Sequence, residues 1–149
     1  MPLSLFQFDP IKKALTGLFV LGTAGAGTEL LLLGHYEDWT QWIPLTLLTF
    51  GLGISLVTLI APGRRSQIWF RWMGIVYAAG GLLGIFLHLK GNREFELEMY
   101  PDLGGAKLMG EALTGATPAL APGVMVQLGL LAIIITFIAS GRAAPVSPD

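Results

Sequence analysis

The hydrophobic positions of the chain fall into four long segments, at about residues 10–34, 40–61, 66–90 and 118–140. A membrane-spanning helix needs about 20 mostly apolar residues, because the hydrocarbon core is about 30 Å thick and a helix rises 1.5 Å per residue. Turn and cap residues bound the segments: Asp9 and Pro10 open the first, and Pro62 and Gly63 close the second. The pattern predicts an all-α, integral membrane four-helix bundle that forms a single domain over residues 1–149.

The composition agrees with a membrane protein and excludes several other classes. Of the 149 residues, 53% are hydrophobic and only 13% are charged, whereas a soluble domain usually carries about a quarter charged residues. The formal net charge of −1 argues against nucleic acid as a partner, since such a partner requires a concentrated basic surface. The absence of cysteine excludes disulfides, thiol redox centres and cysteine-ligated clusters.

The first apolar segment has an alternative interpretation. Lys12 and Lys13 precede an apolar run and the small residues of 23–26, which is the pattern of a signal peptide. The apolar run resumes at 30–33, however, and this favours a retained membrane helix over a cleavage site.

The basic residues predict the orientation in the membrane. Six of them fall on one side of the predicted spans: Lys12, Lys13, Arg64, Arg65, Arg71 and Arg142. Only Lys90, Arg93 and Lys107 fall on the other side, which also carries most of the acidic residues. The positive-inside rule therefore places both termini in the cytoplasm of a bacterium and the chain in its inner membrane. Arg64, Arg65 and Arg71 are predicted to lie at the lipid headgroups.

Small residues at helical spacing predict where the helices approach one another closely. The first three spans carry such pairs: Gly22 and Ala26, Gly51 and Ser55, Gly80 and Gly84. We expect them to pack the bundle within one chain, and self-association through the same residues is the alternative.

The loop of residues 91–117 is predicted to be partly structured and to lie outside. Residues 94–99 alternate acidic and apolar side chains, and this period of two is typical of a short strand or extended segment. Residues 105–113 show helical spacing, which predicts a short amphipathic helix. A long, partly apolar loop is often functional, so we expect a cap or a partner site here.

Glu29 is the most informative residue for function, because an ionisable side chain inside an apolar helix is costly and usually has a role. It is a candidate proton or cation site, with Gln127 as a second intramembrane polar group. Alternatively, Glu29 is a metal ligand, or it makes a structural hydrogen bond to Tyr36, Gln127 or the backbone.

The two histidines form a second candidate site. His35 and His88 are predicted near the outer surface, and imidazole is the commonest metal ligand. With Glu37 and Asp38 they would suit a divalent metal, and as a pair they would suit haem. We favour the simpler interpretation, in which each histidine hydrogen-bonds a loop carbonyl, because the sequence has no fixed ligand spacing.

Three functions follow from these features. The leading prediction is a non-catalytic accessory or assembly subunit of a larger membrane complex, whose partners are membrane lipids and either other subunits or a second copy. The first alternative is a small transporter or proton- or cation-coupled protein that uses Glu29. The second is a metal- or haem-binding membrane protein that uses His35 and His88.

Overall fold

The computed structural model describes residues 10–140, and this range is helical without any strand. Five helices follow one another: α1 Pro10–Leu32, α2 Trp42–Ile60, α3 Arg64–Met99, α4 Gly105–Thr114 and α5 Gly123–Ser140. A single 3₁₀ turn, Trp39–Gln41, leads into α2. The predicted N-cap Asp9 and the basic Arg142 lie outside the described residues.

Three of the helices are long and apolar enough to cross a membrane: α1, α2 with its preceding turn, and α3. This confirms, for the described residues, the prediction of an all-helical protein with several helices long and apolar enough to span a membrane. The fourth apolar helix, α5, is shorter than predicted because Pro118 and Pro122 interrupt the backbone hydrogen-bond pattern. Residues 119–122 form turns instead, in which the Ala121 amide donates to the Pro118 carbonyl at 3.1 Å.

The prediction of an extended segment at residues 94–99 was wrong, because α3 continues as a helix through Met99. Glu, Leu and Met are strong helix formers, and their propensity outweighs the period of two over so short a stretch. An ion pair one turn apart, Lys90 Nζ to Glu94 Oε1 at 3.6 Å, spans the start of this extension. The helix ends before Pro101, as expected for the residues preceding a proline.

The predicted amphipathic helix is present as α4. Gly105 has a φ of +59°, a left-handed conformation that favours glycine, and it turns the chain into the helix. Leu108 and Ala112 are buried one turn apart, while Met109 and Leu113 on the neighbouring face are exposed.

The chain divides into two compact units, Met1–Tyr77 with Leu128–Asp149 and Ala78–Gln127, which we call the first and second units. In the first unit α1 packs against α2. Its core is an aromatic cluster in which the Phe19 ring meets Phe70 edge-on at 4.9 Å and stacks on Tyr77 at 5.8 Å. These three side chains are fully buried.

Candidate functional site

Helix α1 has one buried face and one uncovered face. Lys12, Thr16, Phe19 and Thr23 are buried. The residues on the opposite side recur every three or four positions and are all exposed: Ala14, Leu18, Leu21, Gly25, Thr28 and Leu32. We call this set the α1 outer face. Alternating three- and four-residue spacing is the pattern by which one helix packs along another.

Glu29 lies beside Thr28 on the α1 outer face, three residues before the helix ends at Leu32. Its side chain is exposed, and within residues 10–140 its carboxylate makes neither a hydrogen bond nor an ion pair. Within the first unit, the Glu29 side chain makes no hydrogen bond to Tyr36. Gln127 is itself exposed on α5.

The turn between α1 and α2 carries three of the four predicted metal ligands. Gly34, with a φ of +67°, ends α1 in a Schellman arrangement: the His35 amide donates to the Leu30 carbonyl at 2.9 Å and the Gly34 amide to Leu31 at 3.1 Å. His35 is half-buried in this turn, whereas Glu37 and Asp38 are exposed.

The side chain of Gln41 fixes the same turn from the other end. Its Oε1 accepts hydrogen bonds from the amides of Glu37 at 2.7 Å and Asp38 at 3.1 Å. Both carboxylates are exposed, and Asp38 forms a capping box with Gln41 at the start of the 3₁₀ turn. Over residues 10–140, no group of three or more histidine, aspartate or glutamate side chains is placed to hold a metal ion.

His88 belongs to the second unit, where its Nδ1 lies 3.1 Å from the carbonyl oxygen of Pro118. This is the kind of contact that the structural interpretation of the histidines expects. Gly84, one turn earlier on α3, lies against the Pro122 ring, so closely that a Cβ there would come within 2.7 Å of it. Gly80 is half-buried.

Asn92 is a residue that the sequence analysis missed, and it holds the second unit together. It is only 4% exposed. Its Nδ2 donates to the carbonyls of Ala112 at 2.9 Å and Thr117 at 2.7 Å, and its Oδ1 accepts from the amide and the hydroxyl of Thr117. All four bonding positions of the side chain are used. We call these contacts the Asn92 clamp; the one sequence signal for it is an asparagine inside a helix, where its propensity is poor.

The small residues of the first unit lie at close contacts. Gly51 is buried under the hydroxyl of Tyr77, which donates to the Leu48 carbonyl at 3.2 Å and leaves no room for a Cβ at position 51. Gly22 faces the Leu128 side chain, and a Cβ there would lie 2.8 Å from its Cδ2. Ser55 is fully buried and donates to the Leu52 carbonyl, and Ala26 is half-buried.

Buried hydroxyl groups are a second feature of this unit. Thr16 and Thr58 donate to carbonyls of their own helices, at 2.8 Å each. Thr23 is the exception: its hydroxyl faces that of Tyr77 but meets no hydrogen-bond partner in the described part of the chain.

The three arginines of the α2–α3 turn have different surroundings. Arg64 and Arg65 are exposed. Arg71 is half-buried, donates from Nε to the Thr136 hydroxyl at 3.0 Å and places its guanidinium 4.7 Å from the Phe137 ring centre. Arg71 therefore connects α3 to α5 within the first unit, through its contacts with Thr136 and Phe137.

Comparison with known proteins gives no relative: no family model, curated protein or solved structure matches this chain. Function is therefore inferred from the described side chains, chiefly the α1 outer face with Glu29.

Proposed function

We propose that this chain is a non-catalytic accessory or assembly subunit of a larger complex in a bacterial inner membrane. In this proposal α1 docks, through its outer face, against a membrane helix of another subunit. The observation that carries the proposal is the position of Glu29. Its carboxylate lies among exposed apolar residues of a membrane helix and has no hydrogen-bond or ion-pair partner within residues 10–140.

The energetics of Glu29 favour a partner. On insertion scales an acidic residue costs about 2.5–3.5 kcal/mol at mid-span, and less toward the interface. Intramembrane acids usually face the interior of a bundle and pair there. Glu29 faces outward, about one turn from the helix end. A hydrogen-bond donor or a basic group on a neighbouring subunit would therefore pair with its carboxylate.

The shape of the α1 outer face suits a helix as the occupant. Leu21 is 71% exposed, and Leu18 and Leu32 continue the apolar row on either side. Ala14 and Gly25 add small positions, and a Cβ built on Gly25 meets no atom within 4 Å. Small residues allow two backbones to approach closely, which is how membrane helices gain packing energy.

The membrane arrangement in this proposal has four spans with both termini in the cytoplasm. Helix α5 has 18 residues, which at 1.5 Å per residue gives about 27 Å, close to the thickness of the hydrocarbon core. Helix α3 has 36 residues, or about 54 Å, so its C-terminal part and α4 would lie outside the membrane. The arginines of the α2–α3 turn would face the cytoplasm.

The test compares Glu29→Gln with Glu37→Gln, a matched removal of one exposed carboxylate in the α1–α2 turn. Each tagged variant is expressed from its native locus, purified in mild detergent and assayed for stoichiometric subunits. We expect Glu29→Gln to melt like the wild type but to lose most of the co-purifying subunit, because a membrane hydrogen bond contributes about 1–2 kcal/mol. Equal co-purification with both variants would count against docking through Glu29.

The same variants separate this proposal from transport. The purified chain is reconstituted alone into liposomes and assayed for proton and cation flux. An accessory subunit produces no flux by itself. Flux from the wild-type chain that disappears in Glu29→Gln would replace the proposal with a transporter.

A further inference from the structure

A groove lies on the surface of the first unit, between α2 and the start of α3. It has a volume of about 210 Å³ and is lined by Phe50, Gly53, Ile54, Val57, Ser66 and Trp69. The α2 residues follow at helical spacing on one face and extend over about 10 Å, given a rise of 1.5 Å per residue. The lining surface is apolar, because the Ser66 hydroxyl is turned toward the carbonyls of Ala61 and Gly63.

Positive charge lies at one end of this groove. Arg65 directly precedes Ser66 and lies one helical turn from Trp69, on the same side of α3. Arg64 and Arg65 are both exposed, and in the described range neither is in an ion pair. Within residues 10–140, the acidic residues of the first unit are Glu29 and its neighbours in the α1–α2 turn, and they lie at the opposite end of the α1–α2 hairpin.

We propose that this groove binds one acyl chain of an anionic phospholipid whose phosphate is held by Arg65 and Arg64. The proposal requires α2 and α3 to be in the membrane, but it does not depend on the accessory role or on Glu29. The apolar lining matches an acyl chain, and the charge beside it matches an anionic headgroup. Trp69 is placed as an interfacial anchor between the two, the position that tryptophan favours in membranes.

The arrangement distinguishes this occupant from a second protein. A membrane helix seated in the groove would cover the two arginines and leave them without counter-charge. An anionic lipid neutralises them, and each basic residue near the surface favours such a lipid by roughly fivefold in binding. Arg71 does not contribute, since it is engaged by Thr136.

The test uses the fluorescence of Trp69 in the full-length chain, with Trp39, Trp42 and Trp72 replaced by phenylalanine. The protein is reconstituted in vesicles that contain brominated phosphatidylglycerol or brominated phosphatidylcholine with the same acyl chains. We expect phosphatidylglycerol to quench Trp69 at a mole fraction at least fivefold lower. A second variant that retains only Trp39, in the acidic α1–α2 turn, should show no such preference.

Two substitutions separate the charge from the groove. Arg65→Gln should reduce the preference for phosphatidylglycerol about fivefold. Gly53→Leu should abolish it by filling the groove; a Cβ at Gly53 meets no atom within 4 Å, so the backbone leaves room for a side chain to begin there. Gly17→Leu on α1, where a Cβ also meets no atom within 4 Å, is the matched control and should leave the preference intact.

Each remaining outcome overturns the proposal. If Gly53→Leu keeps the preference while Arg65→Gln lowers it, the lipid gathers around the charge without using the groove. Equal quenching by the two lipids in the Trp69 variant would show that the headgroup is not recognised. Quenching by neither lipid would show that the groove is closed to lipid and belongs to a protein contact.

Discussion

Replacing Asn92 by alanine is expected to release α4 without unfolding the first unit. The side chain connects α3 to the last turn of α4 and to Thr117. The Ala112 carbonyl is one of the last four carbonyls of α4, which have no hydrogen-bond donor within the helix. Asn92 provides that donor through its Nδ2. Alanine removes that partner and leaves the carbonyl in a buried position.

The size of the effect follows from the four hydrogen bonds of the clamp. Each contributes about 0.5–1.5 kcal/mol net, and a buried group left unpaired costs about 1–3 kcal/mol. Thr117 is exposed, so water can replace most of the hydrogen bonds that its amide, hydroxyl and carbonyl lose. Ala112 is buried, so its carbonyl finds little replacement for the lost hydrogen bond. We therefore expect Asn92→Ala to lower the local opening free energy by about 3 kcal/mol, which corresponds to about 150-fold faster amide exchange.

The assay is hydrogen–deuterium exchange of the amides of residues 105–117 in the full-length protein. Thr117→Val removes only the hydroxyl bond and should accelerate exchange by roughly fivefold, at about 1 kcal/mol. Arg93→Ala, at the neighbouring exposed position, should change little. The clamp is refuted if Asn92→Ala exchanges within threefold of the wild type, or if α1 and α2 accelerate as much as α4.

Two further substitutions test the core of the first unit by thermal unfolding in detergent. Gly51→Ala should lower the free energy of unfolding by about 2–3 kcal/mol, because the new Cβ overlaps the Tyr77 hydroxyl. Gly53→Ala, with open space around its Cβ, should leave the stability unchanged or raise it slightly. Equal melting temperatures of the two variants would be inconsistent with the packing described. Thr23→Val should stabilise the protein by about 1 kcal/mol, since it removes a buried hydroxyl without a hydrogen bond, while Thr58→Val loses its bond to the Ile54 carbonyl and should destabilise the protein. A loss of stability in the Thr23 variant would show that its hydroxyl is bonded within the core, to the Tyr77 hydroxyl that it faces.

The helices with a clear signal in the sequence were the predictable part of the fold. Long apolar runs identify α1, α2 and most of α3, because the thickness of the membrane sets their length. The four-residue spacing of Leu108 and Ala112 identifies α4, because residues four positions apart lie on the same face of a helix with 3.6 residues per turn.

The candidate site was less predictable, for physical reasons. Local alternation at residues 94–99 concealed the end of α3, where helix propensity prevails. The Asn92 clamp depends on residues 20 to 25 positions away, which no local pattern reveals. The sequence placed Glu29 inside a span but did not show which way it faces, because an apolar helix presents similar residues to lipid and to its own bundle.

Photo-crosslinking from the α1 outer face in native membranes tests the central claim most directly. A benzophenone amino acid is placed at Leu21 and, as the control, at Leu82, which is also an exposed leucine of a membrane helix. The account predicts that Leu21 crosslinks in high yield to a membrane helix of one other subunit, that Glu29→Gln weakens this crosslink, and that Leu82 does not form it. Crosslinks from Leu21 only to lipid, or only to a second copy of this chain, would contradict it.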